Sequence, residues 1–300
     1  MTSREARFRI GIDLGGTKIE GVVLDPGGGE SLRERIDTEA AGGYAHIVER
    51  IGRLYEQLVR GIGSAPHTLG VGTPGALSTA TGCLKNSNTE VLNGQPIVAD
   101  LERRCGRGLR IENDANCFAL AEALRGAGRG FGVVFGVIMG TGCGGGIVWR
   151  GELHTGRNRI GGEWGHMVID PHGPQCYCGA RGCVETFISG SGLERRYLAL
   201  SGRGLPARQI AAQARSGEAP AGAVMDAFYE RFGHALANLI DVLDPDAVVL
   251  GGGLSNIDEL YTRGVSEVRR RVFSDTFETP IVRNALGDSA GVVGAALIGE

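Results

Sequence analysis

Residues 7–25, RFRIGIDLGGTKIEGVVLD, set two apolar, β-branched runs on either side of the pair Gly15-Gly16. Runs of this kind broken by a glycine turn predict a β-hairpin. Gly15 and Gly16 carry no Cβ to keep an anion away from backbone amides, and Thr17 and Lys18 follow within reach of phosphate oxygens. Gly11 and Gly16 have the spacing of a P-loop, but Thr17-Lys18 reverses that loop's Lys-Ser/Thr order and a strand follows, so the P-loop is rejected. A glycine hairpin with no ligand is the bland alternative for this segment taken alone.

Working outward, the same design returns at residues 131–153, FGVVFGVIMGTGCGGGIVWRGEL, again strand, glycine turn and strand. Gly140, Thr141, Gly142 and Gly144 form a second candidate phosphate turn. The run from Gly140 satisfies GxGxxG, with Glu163 about where a ribose-binding acid would lie. A dinucleotide fingerprint must open a helix, however, and Ile147-Val148-Trp149 continue as a strand. A third glycine run, Gly251, Gly252 and Gly253, follows the apolar segment AVVL and taken alone is more often a structural turn. Helical spacing of Ile47, Ile51, Leu54 and Leu58 predicts a helix over 43–60, a second helix spans 221–243, and a third strand lies near 31–37. Strands alternating with helices in two similar passes predict an α/β protein of two lobes: residues 1–116 with 287–300, and 117–286.

The 300 residues are enough for two cores, and 42% hydrophobic with 22% charged residues describes a globular chain. A net charge of -3 offers no basic field, so nucleic acid is not an expected partner. Residues 131–149 are uncharged and of membrane length, yet seven glycines break them, so no membrane span is expected. Charges interrupt the start MTSREARFRIGID, which therefore reads as no signal peptide and places the chain in the cytoplasm.

Two further segments carry chemistry. In IENDANC, residues 111–117, a short strand delivers Asn113 and Asp114 to a helix start. Such residues are commonly caps, and Asp114 is also placed to act as a general base. Downstream, His166, Cys176, Cys178 and Cys183 supply one imidazole and three thiolates, a tetrahedral zinc shell with no position left for water. Buried free cysteines are the alternative. Glu163 and Glu185 flank this segment, and a bound metal would fix both stretches.

Taken in order, these segments resemble the ROK family of bacterial sugar kinases and related repressors, within the actin, Hsp70 and hexokinase superfold (ribonuclease H-like). GIDLGGTK at 11–18 is similar to the family's first phosphate motif, GTGCGGGI at 140–147 to the second, LGGGLSN at 250–256 to its adenosine motif, and EWGHM with CYCGARGCVE to its zinc signature. The resemblance implies that Asn113, Asp114, Glu163, His166 and Glu185 bind sugar hydroxyls, with Asn88 a further contact. It implies that Asp114 is the base, that one nitrogen of His166 ligates zinc while the other reaches the sugar, and that Asp13 positions Mg²⁺ beside ATP. KNSNTEVLNGQP at 85–96 and ETFISGSG at 185–192 look closest to the fructokinase or mannokinase branch, which implies fructose as acceptor and a homodimer. N-acetylglucosamine kinases are next, and glucokinase is also open. The repressor branch carries an N-terminal helix-turn-helix for which about nine residues leave no room. An actin- or Hsp70-like ATPase would share the hairpins but have no use for the EWGH and cysteine segment.

Overall fold

The glycine pair turns a hairpin in which β1 (Phe8–Leu14) and β2 (Lys18–Leu24) run antiparallel, with Asp13 opposite Glu20. β3 (Glu30–Asp37) extends it on the far side of β2. Helix α1 (Tyr44–Gly61) buries the predicted stripe of Ile47, Ile51, Leu54 and Leu58. The chain then adds β4 (His67–Thr73), a small hairpin of β5 (Ala76–Leu77) and β6 (Leu84–Lys85), α2 (Ile97–Cys105), β7 (Arg110–Asn113) and α3 (Asp114–Arg125). The resulting five-stranded sheet has the order β3-β2-β1-β4-β7, with β4 parallel to both β1 and β7. β2 is buried from Ile19 to Leu24, as a strand covered on both faces must be.

The second sheet repeats the plan. β8 (Val133–Met139) and β9 (Cys143–Trp149) form an antiparallel hairpin, so the uncharged stretch is two strands. β10 (Glu152–Leu153) extends it. After α4 (Glu185–Ile188), α5 (Gly190–Ser201), α6 (Ala207–Arg215) and α7 (Ala219–Leu243), the chain enters β11 (Ala247–Gly251), then α8 (Arg263–Arg269) and β12 (Ile281–Arg283). The order β10-β9-β8-β11-β12 matches the first sheet position for position: β11 is parallel to β8 as β4 is to β1. α7 ends where Asp244 takes a left-handed φ of 44° ahead of Pro245, which cannot continue a helix.

Helix α9 (Ala290–Ile298) then covers the first sheet, and two glycines make its approach possible. A Cβ at Gly11 would stand 2.3 Å from the Val292 carbonyl oxygen, and one at Gly70 1.9 Å from that of Ala295. The strands are bare where the helix backbone crosses them.

The computed structural model describes residues 7–299; residues 1–6, which belong to the start read as no signal peptide, and Glu300 lie outside them. The chain divides into two units. One runs through Ala121 and includes Thr155–Gly161 and the residues from Ser289 onward; the other holds Glu122–His154 and Gly162–Asp288. Each has its own apolar core. Among the described residues no helix is long and apolar enough to cross a membrane.

Candidate active site

The first turn is built by its own backbone and by one distant threonine. The Gly15 N–H donates to the Lys18 carbonyl at 2.9 Å, the Thr38 N–H to that of Thr17 at 2.9 Å, and the Thr38 hydroxyl to that of Gly15 at 2.7 Å. Thr38 is fully buried and drew no notice as sequence. A Cβ at Gly16 would touch only Thr89 Oγ1, at 3.8 Å. Protein atoms therefore do not demand glycine there, and the open space suits a phosphate. Gly11 stands apart from Gly15, Gly16, Thr17 and Lys18, because it lies mid-strand where α9 fills the space beside it.

Asp13, two residues before Gly15, is half-buried, and its buried Oδ1 has no hydrogen-bond partner among the described residues. Burial first, then the like charges of Asp114 and Glu20, push its pKa up to about 7, against the lowering pull of Lys18. An unpartnered carboxylate oxygen beside a phosphate-sized turn fits a hydrated divalent cation. Because the folded-state value is raised above the usual 3.8, this group's stabilisation is complete below pH 3.8 and is lost as pH rises through about 7. Asp13→Asn is accordingly expected to raise thermal stability at pH 8 in chelator without nucleotide, by on the order of a few kcal/mol, and to bring no gain near pH 4. Equal shifts in melting temperature at both pH values would contradict it.

At the end of β7 the structure shows how IENDANC caps α3. Asn113 Oδ1 accepts from the Ala115 and Asn116 N–H groups at 2.9 and 3.3 Å, so Asn113 caps α3, while its Nδ2 donates to the Gly75 carbonyl at 3.1 Å. Asp114 Oδ1 accepts from the Ala115 N–H at 2.8 Å. The cap falls mainly to Asn113, which does not need Asp114 for it. Asn88 is exposed and lies within a loop closed by Asn93, whose Oδ1 accepts from the Ser87 N–H at 2.8 Å and whose Nδ2 donates to the Ser87 carbonyl at 2.9 Å.

In the second unit the turn of Gly140, Thr141 and Gly142 closes through a 3.0 Å bond from the Gly140 N–H to the Gly142 carbonyl. Glu185, at the start of α4, accepts the Cys143 N–H at 2.9 Å through Oε2, and a Cβ at Gly142 would come within 2.6 Å of that oxygen. This places Glu185 beside the second glycine turn, a neighbour 42 residues away in sequence. Gly144 follows within β9, and its carbonyl accepts from Trp164 Nε1 at 3.0 Å. The third loop leaves β11 at Gly251; Gly252 has φ 76° and packs its Cα side on Met139, whereas a Cβ at Gly140 or Gly253 would meet nothing within 4 Å. Such openings fit the polyphosphate and ribose of a nucleotide.

His166, Cys176, Cys178 and Cys183 bring their ligand atoms within 4.8 Å of one another. Cys178 and Cys183 sulfurs are 3.6 Å apart, and Cys176 Sγ is 3.6 Å from His166 Nδ1. Tetrahedral zinc with its usual bond lengths separates sulfur pairs by about 3.8 Å and sulfur–nitrogen pairs by about 3.6 Å. The cluster fits that ion, with Nδ1 the nitrogen that would ligate it. His166 Nε2 lies 3.0 Å from the hydroxyl of Tyr177, a partner within the cysteine loop that no sequence pattern announced. Glu163 precedes a short turn, Trp164–His166, whose Trp164 is buried against Phe135.

A duplicated sheet whose hairpins end in glycine turns, with a carboxyl beside the first, defines the actin/hexokinase type of phosphoryl-transfer fold. The family model of the ROK family matches residues 9–300, and this chain belongs to that family of sugar kinases. N-acetyl-D-glucosamine kinase of Pasteurella multocida is 36% identical over 97% of this chain and 99% of its own. A ROK hexokinase from Thermus thermophilus superposes with a TM-score of 0.87 at 34% identity, covering 97% of each chain. A ROK glucokinase from Streptomyces griseus, solved with glucose and AMPPNP, superposes with a TM-score of 0.78 at 29% identity over 97% of this chain and 99% of its own.

Proposed function

We propose that this protein transfers the γ-phosphoryl group of ATP to a primary hydroxyl of N-acetylglucosamine. The likeness to N-acetylglucosamine kinase across nearly the whole of both chains carries the choice of sugar. The motifs at 85–96 and 185–192 favour fructose or mannose instead and keep those sugars, with glucose, as alternatives. Asp114 takes the hydroxyl proton as the sugar oxygen bonds to the γ-phosphorus and the bond to the β-phosphate oxygen breaks, releasing ADP. The capping of α3 by Asn113 supports this reading, because the helix start does not depend on Asp114 for its cap. Glu163, His166 and Glu185 bind sugar hydroxyls, with Asn88 and Asn113 as further contacts. The turns at Gly15–Lys18 and Gly140–Gly144 hold phosphates, and Gly251–Gly253 the adenosine. Mg²⁺ held through water by Asp13 would neutralise charge on the phosphates. Zinc on His166, Cys176, Cys178 and Cys183 is structural. The kinase works in the cytoplasm as a homodimer.

A coupled ADP-release assay across N-acetylglucosamine, N-acetylmannosamine, fructose, mannose and glucose tests the assignment. N-acetylglucosamine is expected to give the highest kcat/KM, by about 100-fold or more over fructose, as a site that hydrogen-bonds an amide can achieve. Fructose as the best substrate would restore the fructokinase reading. ATP consumption indifferent to every sugar would point to an ATPase.

A further inference from the structure

Segment Thr155–Gly161 follows β10 in the chain but packs with the first unit, and Arg159 ties it there. Its turn is closed by the Gly161 N–H on the Thr155 carbonyl at 2.9 Å, and Arg159 sits in it at φ 55°, a left-handed conformation that costs a residue with a Cβ. From there Nη2 donates to Glu112 Oε2 at 3.0 Å and to the Ile111 carbonyl at 3.5 Å. The Glu112 side chain is only 10% exposed. Its other oxygen, Oε1, accepts the Asn113 backbone N–H at 2.9 Å and Asn116 Nδ2 at 3.1 Å. One carboxylate thus holds the last residue of β7 and the first turn of α3, on either side of Asp114, and Arg159 holds the carboxylate.

We infer that Arg159 and Glu112 are a positioning pair that fixes the β7–α3 junction and thereby the aim of the Asp114 carboxylate. This rests on the reading of Asp114 as the base. An ion pair serving stability alone could use any two surface elements. This one spans 47 residues to reach a carboxylate that holds the Asn113 N–H and the Asn116 side chain on either side of the base, from a backbone conformation that disfavours arginine. Reactive geometry tolerates little error, and a displacement of about 1 Å costs on the order of 100-fold in rate.

Steady-state kinetics of R159M, R159K, E112Q and D114N, each with its thermal midpoint, tests the pair. R159M is expected to lower kcat about 10- to 100-fold while KM for ATP stays within about 2-fold, since the phosphate turns are untouched. R159K, whose ammonium can still reach Oε2 and the Ile111 carbonyl, is expected to recover most of that loss. If R159M yields too little folded protein, E112Q reads the same split, because it keeps an oxygen for the Asn113 N–H and loses the charge. Near-normal turnover in D114N overturns Asp114 as base. An inactive D114N beside unchanged kcat in R159M and E112Q, or losses that merely track the unfolded fraction, overturns the positioning pair alone.

Discussion

Replacing Asp114 with Asn is expected to lower kcat by about 100- to 10,000-fold while the protein stays folded and still binds sugar. The amide oxygen can keep the 2.8 Å bond from the Ala115 N–H, and Asn113 continues to cap α3, so the junction should persist. What the variant loses is a basic oxygen for the hydroxyl proton. It also removes one of the like charges that raise the Asp13 pKa, so the thermal midpoint should be unchanged or slightly higher at neutral pH. The coupled assay and thermal unfolding, run on the same preparation, check both halves. Turnover within about threefold of the parent would show that the proton leaves without Asp114, and phosphoryl transfer would then rest on positioning and charge.

The second large effect concerns the metal cluster. Cys178→Ala is expected to bring bound zinc from about one ion per chain to near zero by elemental analysis, since a four-ligand shell loses one of its thiolates. The loop keeps some structure of its own. The Cys176 N–H donates to the Ala180 carbonyl at 2.8 Å and the Gly182 N–H to that of Pro174 at 2.8 Å. Loss of the metal should therefore loosen the segment rather than unfold the protein. Glu163 and His166 enter this segment and Glu185 leaves it, so KM for the sugar is expected to rise by about tenfold or more. KM for ATP should change far less. Full metal occupancy in Cys178→Ala would remove it from the ligand set.

The duplicated hairpins were legible because each depends on a local pattern, two apolar runs and a glycine turn within about twenty residues. The four-ligand cluster was legible for a similar reason, with three cysteines crowded into one short loop. Gly11 and Gly16 looked alike as sequence, yet one makes room for α9 and the other faces open space. That difference depends on a helix nearly three hundred residues away in the chain, which no local pattern announces. Asn113 and Asp114 were equally ambiguous, since either can cap a helix, and the bonds to Ala115 and Asn116 assign most of that role to Asn113.

Carboxylates mark the boundary most clearly, because their partners here are backbone N–H groups and guanidinium groups brought from far along the chain. Glu122 is fully buried and accepts N–H groups of Ala127, Ala285 and Leu286 at 2.8 to 3.0 Å, although in sequence it is one acid on an alanine-rich helix. Glu185 reaches Cys143, and Glu112 reaches Arg159. From the residues in order came the paired sheets, the glycine turns, the histidine and cysteines that cluster and the family they resemble, all properties of short segments. From folding alone came the partner of each buried charge and the placement of Thr155–Gly161 with the first unit, because a charge in low dielectric is settled by whichever donors tertiary packing brings within about 3 Å.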